Sequence, residues 1–394
     1  MTVTAIGAAG QAGTRAPTGS VSRDLKFEPN DEFHREIRRR VDDYFRSTGL
    51  RPRDDPRLYL KAAVALLWMA ASYLFLVFGA ANWWQALLGV VSLGVAMPCV
   101  GFNVMHDGGH HAFSDRRWVN RLTAFTMDLL GGSSYVWAVK HNIVHHTYAN
   151  IAGYDDDIQM GALGRLSPHQ KWLPFHRFQH LYVWPFYGLV PFKWAYFDDY
   201  RDVLRGRVGE SRMPRPRGLE LALFLGGKVQ YLCLAFVIPL LLHPVGAVVL
   251  CYLGATLIEG AVMGVVFQLA HCVEEASFPM PNPETGRMDS HWAPHQVETA
   301  VDYARASSFV TWFVGGLNYQ VEHHLLPQIS HVHYPALAGL VEATCREFGL
   351  RYQYRQTLSG AVASHFRWLR RMGQPSGPSG QPVIFPAPEA GAAT

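Results

Sequence analysis

Long uncharged runs dominate the hydrophobic pattern of this chain. From Ala62 to Met105 the sequence contains no Asp, Glu, Lys or Arg, and this length is about twice the ~20 residues that a helix needs to cross ~30 Å of hydrocarbon. The small and polar segment at 79–82 is typical of a turn between two helices. The pattern therefore predicts membrane-spanning helices over Ala62–Phe78 and Trp83–Met105.

A second pair of apolar runs follows, over Leu221–Leu242 and Val245–Ala270, with a turn at 243–244. One charged residue lies inside each run, Lys228 in the first and Glu259 in the second. Both lie equally far from the turn, and charges inside a membrane usually find partners. We therefore expect four spans in two hairpins and predict that Lys228 pairs with Glu259. The length of the apolar runs disfavours the alternative, helices buried in a large soluble core.

The composition agrees with a membrane protein that also has a large polar part. Only 17% of the 394 residues are charged and 49% are hydrophobic, whereas soluble domains carry about 25% charged residues. These values exclude a disordered or collagen-like chain. The five cysteines are scattered and form no Cys-x-x-Cys pair, which excludes a disulfide framework and indicates reduced thiols. The net charge of +4 is too small to indicate nucleic acid as a partner.

Positive charge is concentrated on one side of the predicted membrane. Arg and Lys are frequent between residues 35 and 61 and in the long link between the hairpins, and both turns lack them. The positive-inside rule then places both termini and the link in the cytoplasm. The link contains an aromatic segment, Phe175–Tyr200, which prolines interrupt, and we interpret it as lying in the plane of the membrane surface.

The two ends of the chain differ from the rest. Residues 1–24 are small and polar, and residues 373–394 are rich in Pro, Gly and Ser, so that both are predicted to be disordered tails. The domain between them, 25–372, then consists of the four spans and of three segments that form a helical cap. These cap segments are 25–61, 106–220 and 271–372.

Histidine, with 19 residues, is the residue type that indicates the chemistry of this chain. Three clusters lie at or beyond the predicted cytoplasmic ends of the spans, and histidines four apart share one helical face. The clusters comprise His106, His110 and His111; His141, His145 and His146; and Gln320, His323 and His324. The span Val245–Ala270 is longer than the ~30 Å membrane core requires. We therefore expect His271 to project to the level of the clusters.

So many imidazoles predict a metal centre. Neutral imidazole suits Fe, Zn, Cu and Ni, whereas Mg and Ca prefer carboxylates. Eight or nine imidazoles exceed the coordination of one ion, and structural zinc closes with four ligands, so that we expect two redox-active iron ions. Metal-bound histidines usually donate their second ring N–H to an acceptor. The candidates for this supporting role are Asp107, Asp155, Asp156, Asp157 and Glu322, although a helix cap in a loop is an equal alternative for the three consecutive aspartates.

The three clusters together resemble the histidine boxes of the integral-membrane fatty acid desaturases, in order and in spacing. The matching runs are His106-Asp-Gly-Gly-His-His, His141-Asn-Ile-Val-His-His-Thr-Tyr-Ala-Asn and Asn318-Tyr-Gln-Val-Glu-His-His-Leu-Leu-Pro. The resemblance extends from about Phe27 to Arg367. It implies an all-α, mushroom-shaped fold, in which four membrane helices lie under a cytosolic helical cap.

The resemblance also implies how the metal is bound. Two non-haem irons would have as ligands His106, His110, His141, His145, His146, His323 and His324, with His271 as an extra ligand at the end of the fourth span. The first box of the family often uses only its two outer histidines, which leaves open whether His111 binds metal. Gln320 stands where other members have histidine, as in front-end desaturases, and its role is open between a direct ligand and a supporting contact.

A member of this family would use O2 as co-substrate and introduce a cis double bond into an acyl chain carried by CoA or by a lipid. Many front-end members have a fused cytochrome b5 domain, and this sequence departs from that pattern. We therefore expect a separate electron carrier of the ferredoxin or cytochrome b5 type. The alternatives are a related di-iron hydroxylase or ketolase and, in a different class, a membrane metal-binding protein or transporter. Transporters tend to place their ligands at mid-membrane, whereas these clusters lie at or beyond the helix ends.

Overall fold

The computed structural model of the protein describes residues 25–375, and these residues are mostly helical. Within these residues four helices are long and apolar enough to cross a membrane, and we refer to them as spans 1 to 4: Pro56–Gly79, Trp83–Gly109, Leu219–Leu240 and Val245–His271. The predicted fold class of four membrane helices is confirmed. The predicted tail at 1–24 and all of the second tail beyond residue 375 lie outside the described residues.

Two spans extend further than their apolar runs. Span 1 begins at Pro56 rather than Ala62, because the Asp55 side chain accepts the Arg57 amide and proline suits the first helical turn. Span 2 continues through a π-helical turn at Gly101–Met105 to Gly109. The first histidine cluster therefore lies on the last turns of a span.

The rest of the described chain forms a cap of shorter helices on the side where spans 2 and 4 end. The helices of the cap are Glu32–Thr48, Arg117–Ala124, Thr126–Leu129, Ser134–Val139, Lys140–His145, His146–Tyr148, Pro174–Phe178, Gln179–Tyr187, Val190–Lys193, Trp194–Asp198, Asp199–Arg205, Trp292–Thr299, Ser308–Phe313, Gln320–Leu325, His331–His333, Tyr334–Glu347 and Leu358–Met372. Two short strand pairs interrupt them, Arg207–Val208 antiparallel to Ser211–Arg212 and Asp302–Tyr303 parallel to Tyr354–Arg355.

Small residues bring span 4 close to its neighbours. A Cβ atom at Gly94 of span 2 would lie 2.8 Å from the backbone oxygen of Ala255 in span 4. Gly260 and Gly264 of span 4 meet the helix Gln179–Tyr187 in the same way. Close approach of this kind is typical of helices packed in a membrane. It fixes the cap end of span 4 beside the cap end of span 2.

The predicted pair of Lys228 and Glu259 is wrong. Lys228 Nζ lies 2.6 Å from Asp199 Oδ2 and donates to the carbonyl of Gly131 at 2.7 Å, and both partners belong to the cap. The prediction assumed that spans 3 and 4 pack along each other, whereas span 4 packs on span 2 and on the cap. Glu259 is buried, and its Oε2 has no hydrogen-bond partner within residues 25–375.

The aromatic segment Phe175–Tyr200 folds into short helices, the longest of which packs on span 4. It contains none of the four helices that could cross a membrane. Phe178, Leu181 and Phe197 on these helices are exposed. Its location in the plane of the membrane surface stays a prediction.

Candidate metal centre

Eight of the nine predicted histidine ligands converge where spans 2 and 4 meet the cap. Each of the eight exposes at most 7% of its surface. They come from the end of span 2, from the turn and helix at 140–148, from the end of span 4, and from the helix Gln320–Leu325. The eight are His106, His110, His141, His145, His146, His271, His323 and His324.

The eight imidazoles divide into two groups. The first group comprises His106, His110, His141 and His323, and the second comprises His145, His271 and His324; within each group the possible ligand atoms lie within 4.8 Å of one another. His146 joins the two groups, because it forms a third such set with His323 and His324. Its ring centroid is 4.6 Å from that of His323 and 4.4 Å from that of His324. The imidazoles therefore offer donor sets for two neighbouring ions.

The local backbone explains how the first two clusters point inward. A π-helical turn precedes His106, and a second one, Lys140–His145, carries His141 and His145. Such turns are frequent at functional sites because they re-aim side chains within a helix. Gly109 lets the first cluster approach Trp137 so closely that a Cβ atom there would collide with the indole. Trp137 in turn stacks on His141 at 4.6 Å between ring centroids.

Hydrogen bonds from outside fix the second group. His145 Nδ1 lies 3.1 Å from Asp155 Oδ2, and His324 Nδ1 is 2.7 Å from Gln296 Oε1. His271 Nδ1 is 3.0 Å from the backbone oxygen of Thr299. Each contact occupies Nδ1 and leaves Nε2 to face the cluster, which is the usual arrangement around metal-bound histidine.

Asp155 was among the sequence candidates for this supporting role, whereas Gln296 and Thr299 were missed. Both lie on the helix Trp292–Thr299, far from every box in the sequence. A backbone carbonyl can belong to any residue, so the contact from Thr299 has no sequence signal. Asn150 was missed too: its side-chain amide reaches the carbonyls of His271 at 3.0 Å and Thr299 at 3.2 Å. Asn150 therefore connects the segment that follows His141, His145 and His146 to the end of span 4.

The sequence predicts that Asp107 supports a cluster histidine, and the structure shows other partners for it. Its Oδ2 accepts the Ser330 hydroxyl at 3.2 Å and lies 3.0 Å from His331 Nδ1. His331 Nε2 is in turn 2.7 Å from Lys61 Nζ. The carboxylate points away from the eight cluster histidines. It links the first box to the segment after the third box and, through His331, to span 1.

Two of the remaining sequence candidates, Asp157 and Gln320, lie at the cluster. The other two have different partners: Asp156 pairs with Lys140 at 2.9 Å, and Glu322 accepts the Tyr352 hydroxyl at 2.8 Å. Asp157 Oδ2 is 3.6 Å from His141 Nδ1 and 3.7 Å from His145 Nδ1, so that it faces both groups beyond normal hydrogen-bond distance. The Gln320 side chain is buried, and its Nε2 is 2.9 Å from His271 Nε2. Gln320 therefore belongs to the second group in space.

His111 is the one predicted ligand that the structure does not bring to the cluster. It is exposed, and its backbone has φ +59°, in the left-handed region that non-glycine residues rarely adopt. This conformation turns the His111 side chain outward immediately after His110 has turned inward. The physical reason is that the helix of the first box ends here.

Burial favours the neutral, metal-binding form of most of these imidazoles. It lowers the pKa of five of them well below the ordinary value: His110, His141, His146, His323 and His324. Burial acts on His145 in the same direction, but the carboxylates of Asp155 and Asp157 outweigh it and raise the pKa of that imidazole. A metal ion would replace this proton at Nε2.

The unpartnered nitrogens provide a direct test of whether the site fits a metal. Nε2 of His106, His110 and His323 and Nδ1 of His146 are buried and have no hydrogen-bond partner in the part of the chain that the structure describes. Buried polar atoms without partners are costly in folded proteins. Bound cations would satisfy the three Nε2 atoms, and an all-imidazole set with no thiolate suits iron, zinc, copper or nickel. The residues present therefore fit a centre of two transition-metal ions.

A small cavity of about 30 Å³ borders the cluster. Its lining combines the apolar side chains of Trp137, Trp194, Phe267 and Leu317 with His106, His141, His145 and His271. A larger apolar cavity, of about 350 Å³, lies among the four spans, and none of the eight histidines lines it. The small cavity is therefore the place where an apolar group can meet the centre.

Comparison with known proteins gives a consistent result. The family model for fatty acid desaturases matches residues 81–356. The chain is 38% identical over 358 residues to an sn-1 linoleoyl-lipid 6-desaturase of Arthrospira platensis, which covers 90% of this chain and 96% of that protein. A protein of the same description from Synechocystis sp. is 38% identical over 89% of this chain and 98% of its own length. An acyl-lipid (8-3)-desaturase of Physcomitrium patens is 33% identical over 87% of this chain and 72% of its own length.

Proposed function

Since the chain belongs to the fatty acid desaturase family, we propose that it is a front-end acyl-lipid desaturase whose eight clustered histidines hold two iron ions. As a desaturase it is a membrane oxidoreductase. The observation that carries the metal assignment is the pair of imidazole groups. In the first group, Nε2 of His106, His110 and His323 is buried without a hydrogen-bond partner in the described chain, and in the second, Nε2 of His271 and of His324 lie 3.2 Å apart. His106, His110 and His141 would hold one ion, and His145, His271 and His324 the other. His146 and His323 lie between them.

The reaction needs a strong oxidant because an acyl CH2 group has no acidic proton and no polar handle. When bound, the two irons supply the activation of O2 that this chemistry requires. In the overall balance, –CH2–CH2–, O2, two electrons and two protons give cis –CH=CH– and two water molecules. Two of the four electrons that reduce O2 come from the acyl chain and two from a separate one-electron carrier, of the ferredoxin or cytochrome b5 type.

The protein's own residues position the chain and keep water out. Trp137, Trp194, Phe267 and Leu317 border the small cavity at the cluster, and they would hold a methylene pair against the histidines by apolar contact. A lipid-linked substrate is supported by the two relatives described as linoleoyl-lipid 6-desaturases. Front-end regiochemistry is supported by Gln320, which replaces the first histidine of the third box and lies beside His271.

The orientation proposed for the chain has the cap and both termini in the cytoplasm. It is supported by the excess of Arg and Lys in the segments that form the cap and by the lack of both residue types in the turns. Reporter domains fused at the turn 80–82 and after residue 375 would test it. We expect reporter activity typical of the cytoplasm only from the second fusion, and the reverse pattern would contradict the orientation.

Metal analysis and product analysis together test the function. The purified protein should contain two irons per chain, and heterologous expression should add one double bond on the carboxyl side of an existing one in glycerolipid acyl chains. Zinc in place of iron would contradict the di-iron centre. A hydroxylated product would contradict desaturation, and a new double bond on the methyl side would contradict the front-end assignment alone.

A further inference from the structure

His111 is an exposed residue that directly follows a buried cluster histidine in the sequence. Among the residues directly adjacent in sequence to the eight cluster histidines, His111 is the only exposed one, and a single peptide bond joins it to His110. Non-glycine residues in left-handed backbone, as here, concentrate at functional sites because the conformation costs free energy. The conformation presents an imidazole to solvent immediately beside one that faces the centre.

Two positive groups lie near this imidazole, and an exposed carboxylate lies beside one of them, since Asp115 Oδ1 is 3.5 Å from Arg53 Nη1. Arg53 and Arg117 are close enough for their charges to act on the His111 ring. Arg53 also donates to the backbone oxygen of Gln328, just after the third box, at 3.1 Å. The neighbouring Arg116 and Arg117 are both exposed, and neither has an ion-pair partner within residues 25–375. We call this surface, formed by Arg53, His111, Arg116, Arg117 and Gln328, the His111 face.

Most other arginines of the cap are already neutralised. On the helix Glu32–Thr48, Arg39 pairs with Glu36 and Asp43, and Arg40 pairs with Glu347. The two free guanidiniums at the His111 face are therefore available to a partner. Arginine at such positions favours carboxylate partners, because its planar fork binds them in bidentate geometry.

We propose that the His111 face is the docking surface for an acidic one-electron carrier protein. The inference rests on the proposed function, which requires two electrons from outside for each double bond. Two reduced carriers would each lose one electron at this face, and both electrons would pass to the centre that the eight histidines would hold, for the reduction of O2. Complementary charge steers such transient partners and sets their association rate.

A membrane contact is the competing account of the same surface. Trp118 and Leu122 on the helix Arg117–Ala124 are 63% and 62% exposed, so that this helix fits the headgroup zone of a bilayer. A lipid contact, however, would not explain why the exposed surface includes the residue next to His110. The position of His111 favours the carrier, which would approach along the membrane surface.

A charge reversal with a matched control tests the proposal. The doubly substituted variant Arg116→Glu/Arg117→Glu is compared with Arg38→Glu/Arg370→Glu, in which two exposed arginines without ion-pair partners in the described chain are reversed. Both variants change the formal net charge from +4 by the same amount. The proteins are reconstituted in nanodiscs of neutral lipid, and turnover is measured against the concentration of a [2Fe–2S] ferredoxin and of a soluble cytochrome b5 domain.

We expect the KM for the better carrier to rise about tenfold in Arg116→Glu/Arg117→Glu at low salt, and the difference to shrink at high salt. The KM for the acyl lipid should not change, and the control variant should resemble the wild type. Binding of the oxidised carrier to the nanodiscs, measured without turnover, should weaken in parallel. His111→Ala should lower the rate at saturating carrier and leave product formation driven by dithionite unchanged.

Three outcomes would overturn the docking surface. The first is an equal change of carrier KM in both double variants. The second is an unchanged carrier KM together with lost binding to vesicles that contain anionic lipid, which would identify a lipid contact. The third is an equal loss of dithionite-driven product in His111→Ala. If the wild type forms no double bond with dithionite either, the proposed function fails, while the binding measurement still decides whether the face binds the carrier.

Discussion

The two groups of histidines are held in place by different means. In the second group, His145, His271 and His324 each have Nδ1 fixed by an oxygen from outside the cluster at 2.7 to 3.1 Å. In the first group, His106 and His110 have no side-chain hydrogen bond within residues 25–375, and their rings pack against Trp137 at 5.8 and 5.4 Å. One half of the centre is therefore positioned by hydrogen bonds and the other by packing.

This difference follows from where each group lies in the fold. The first group begins on the last turns of span 2, whose surroundings are apolar and offer few acceptors. The second group lies where the end of span 4 meets the segment after the second box and the helix Trp292–Thr299, which offer the side chains of Asp155 and Gln296 and the carbonyl of Thr299. Substituting a residue that supports the second group should therefore weaken metal binding, whereas substituting one that supports the first group should lower the stability of the packing.

The largest effect should come from a residue that both groups share. We expect His323→Ala to reduce activity by at least about 100-fold and to lower the iron content of both sites, because His323 belongs to the first group and also to the set that contains His146 and His324. His111→Ala serves as the control and should keep two irons. Metal analysis of the purified variants measures the difference, and loss of a single iron in His323→Ala would contradict a shared role.

The next effect should be confined to the second group. Asp155→Asn preserves the shape of a side chain that is fully buried but removes the negative charge beside His145 Nδ1. Outer partners of metal-bound histidines contribute about 10- to 100-fold to metal affinity, and we expect a loss of that size at one of the two ions, measured by competition with a chelator. Asp157→Asn is the matched control, because Asp157 is partly exposed and lies 3.7 Å from the same atom. Equal losses in both variants would indicate a general electrostatic effect.

A third effect should be confined to the first group. Gly109→Ala places a methyl group against the Trp137 indole, and overpacking of this kind typically costs about 1–3 kcal/mol. We expect a lower Tm and a lower activity, and partial recovery of both in Gly109→Ala/Trp137→Leu, which makes room for the methyl group. Trp137→Leu alone provides the baseline. Failure of the double variant to recover any stability would show that packing on Trp137 is not what positions His110.

The sequence predicted which histidines come together better than it predicted their supporting contacts, for a physical reason. Histidines four apart lie on one helical face, and the ends of the uncharged runs predict that the clusters lie at one end of the spans. Both features can be read from short segments of the sequence. The contacts of His324 with Gln296 and of His271 with Thr299 join distant segments, and no local pattern encodes them. The failed pairing of Lys228 with Glu259 has the same origin, since adjacency of spans 3 and 4 in sequence does not decide which helix faces which. Asp107 looked like a support for His106 because it is the next residue, yet its side chain points to His331.

The smallest effect concerns a titratable group that supports the second group through the backbone. His365 Nδ1 donates to the carbonyl of Cys272, directly after His271, at 2.6 Å, and Tyr187 donates its hydroxyl to Nε2 at 2.8 Å. Burial lowers the pKa of His365 to about 4, whereas an unfolded histidine has a pKa of about 6.5. Between these values only the unfolded chain binds the proton, so that this contribution to stability is complete above pH 6.5 and decreases as the pH falls towards 4. The slope is about 1.4 kcal/mol per pH unit.

We therefore expect His365→Gln, which keeps a donor and an acceptor, to unfold in detergent with a shallower loss of stability between pH 6.5 and 5 than the wild type. His291→Gln, at a partly exposed histidine outside this contact, should retain the wild-type slope. Identical slopes in all three proteins would mean that the end of span 4 is held by Asn150 and the glycine contacts alone, and the second group would then have no pH-sensitive support at this position.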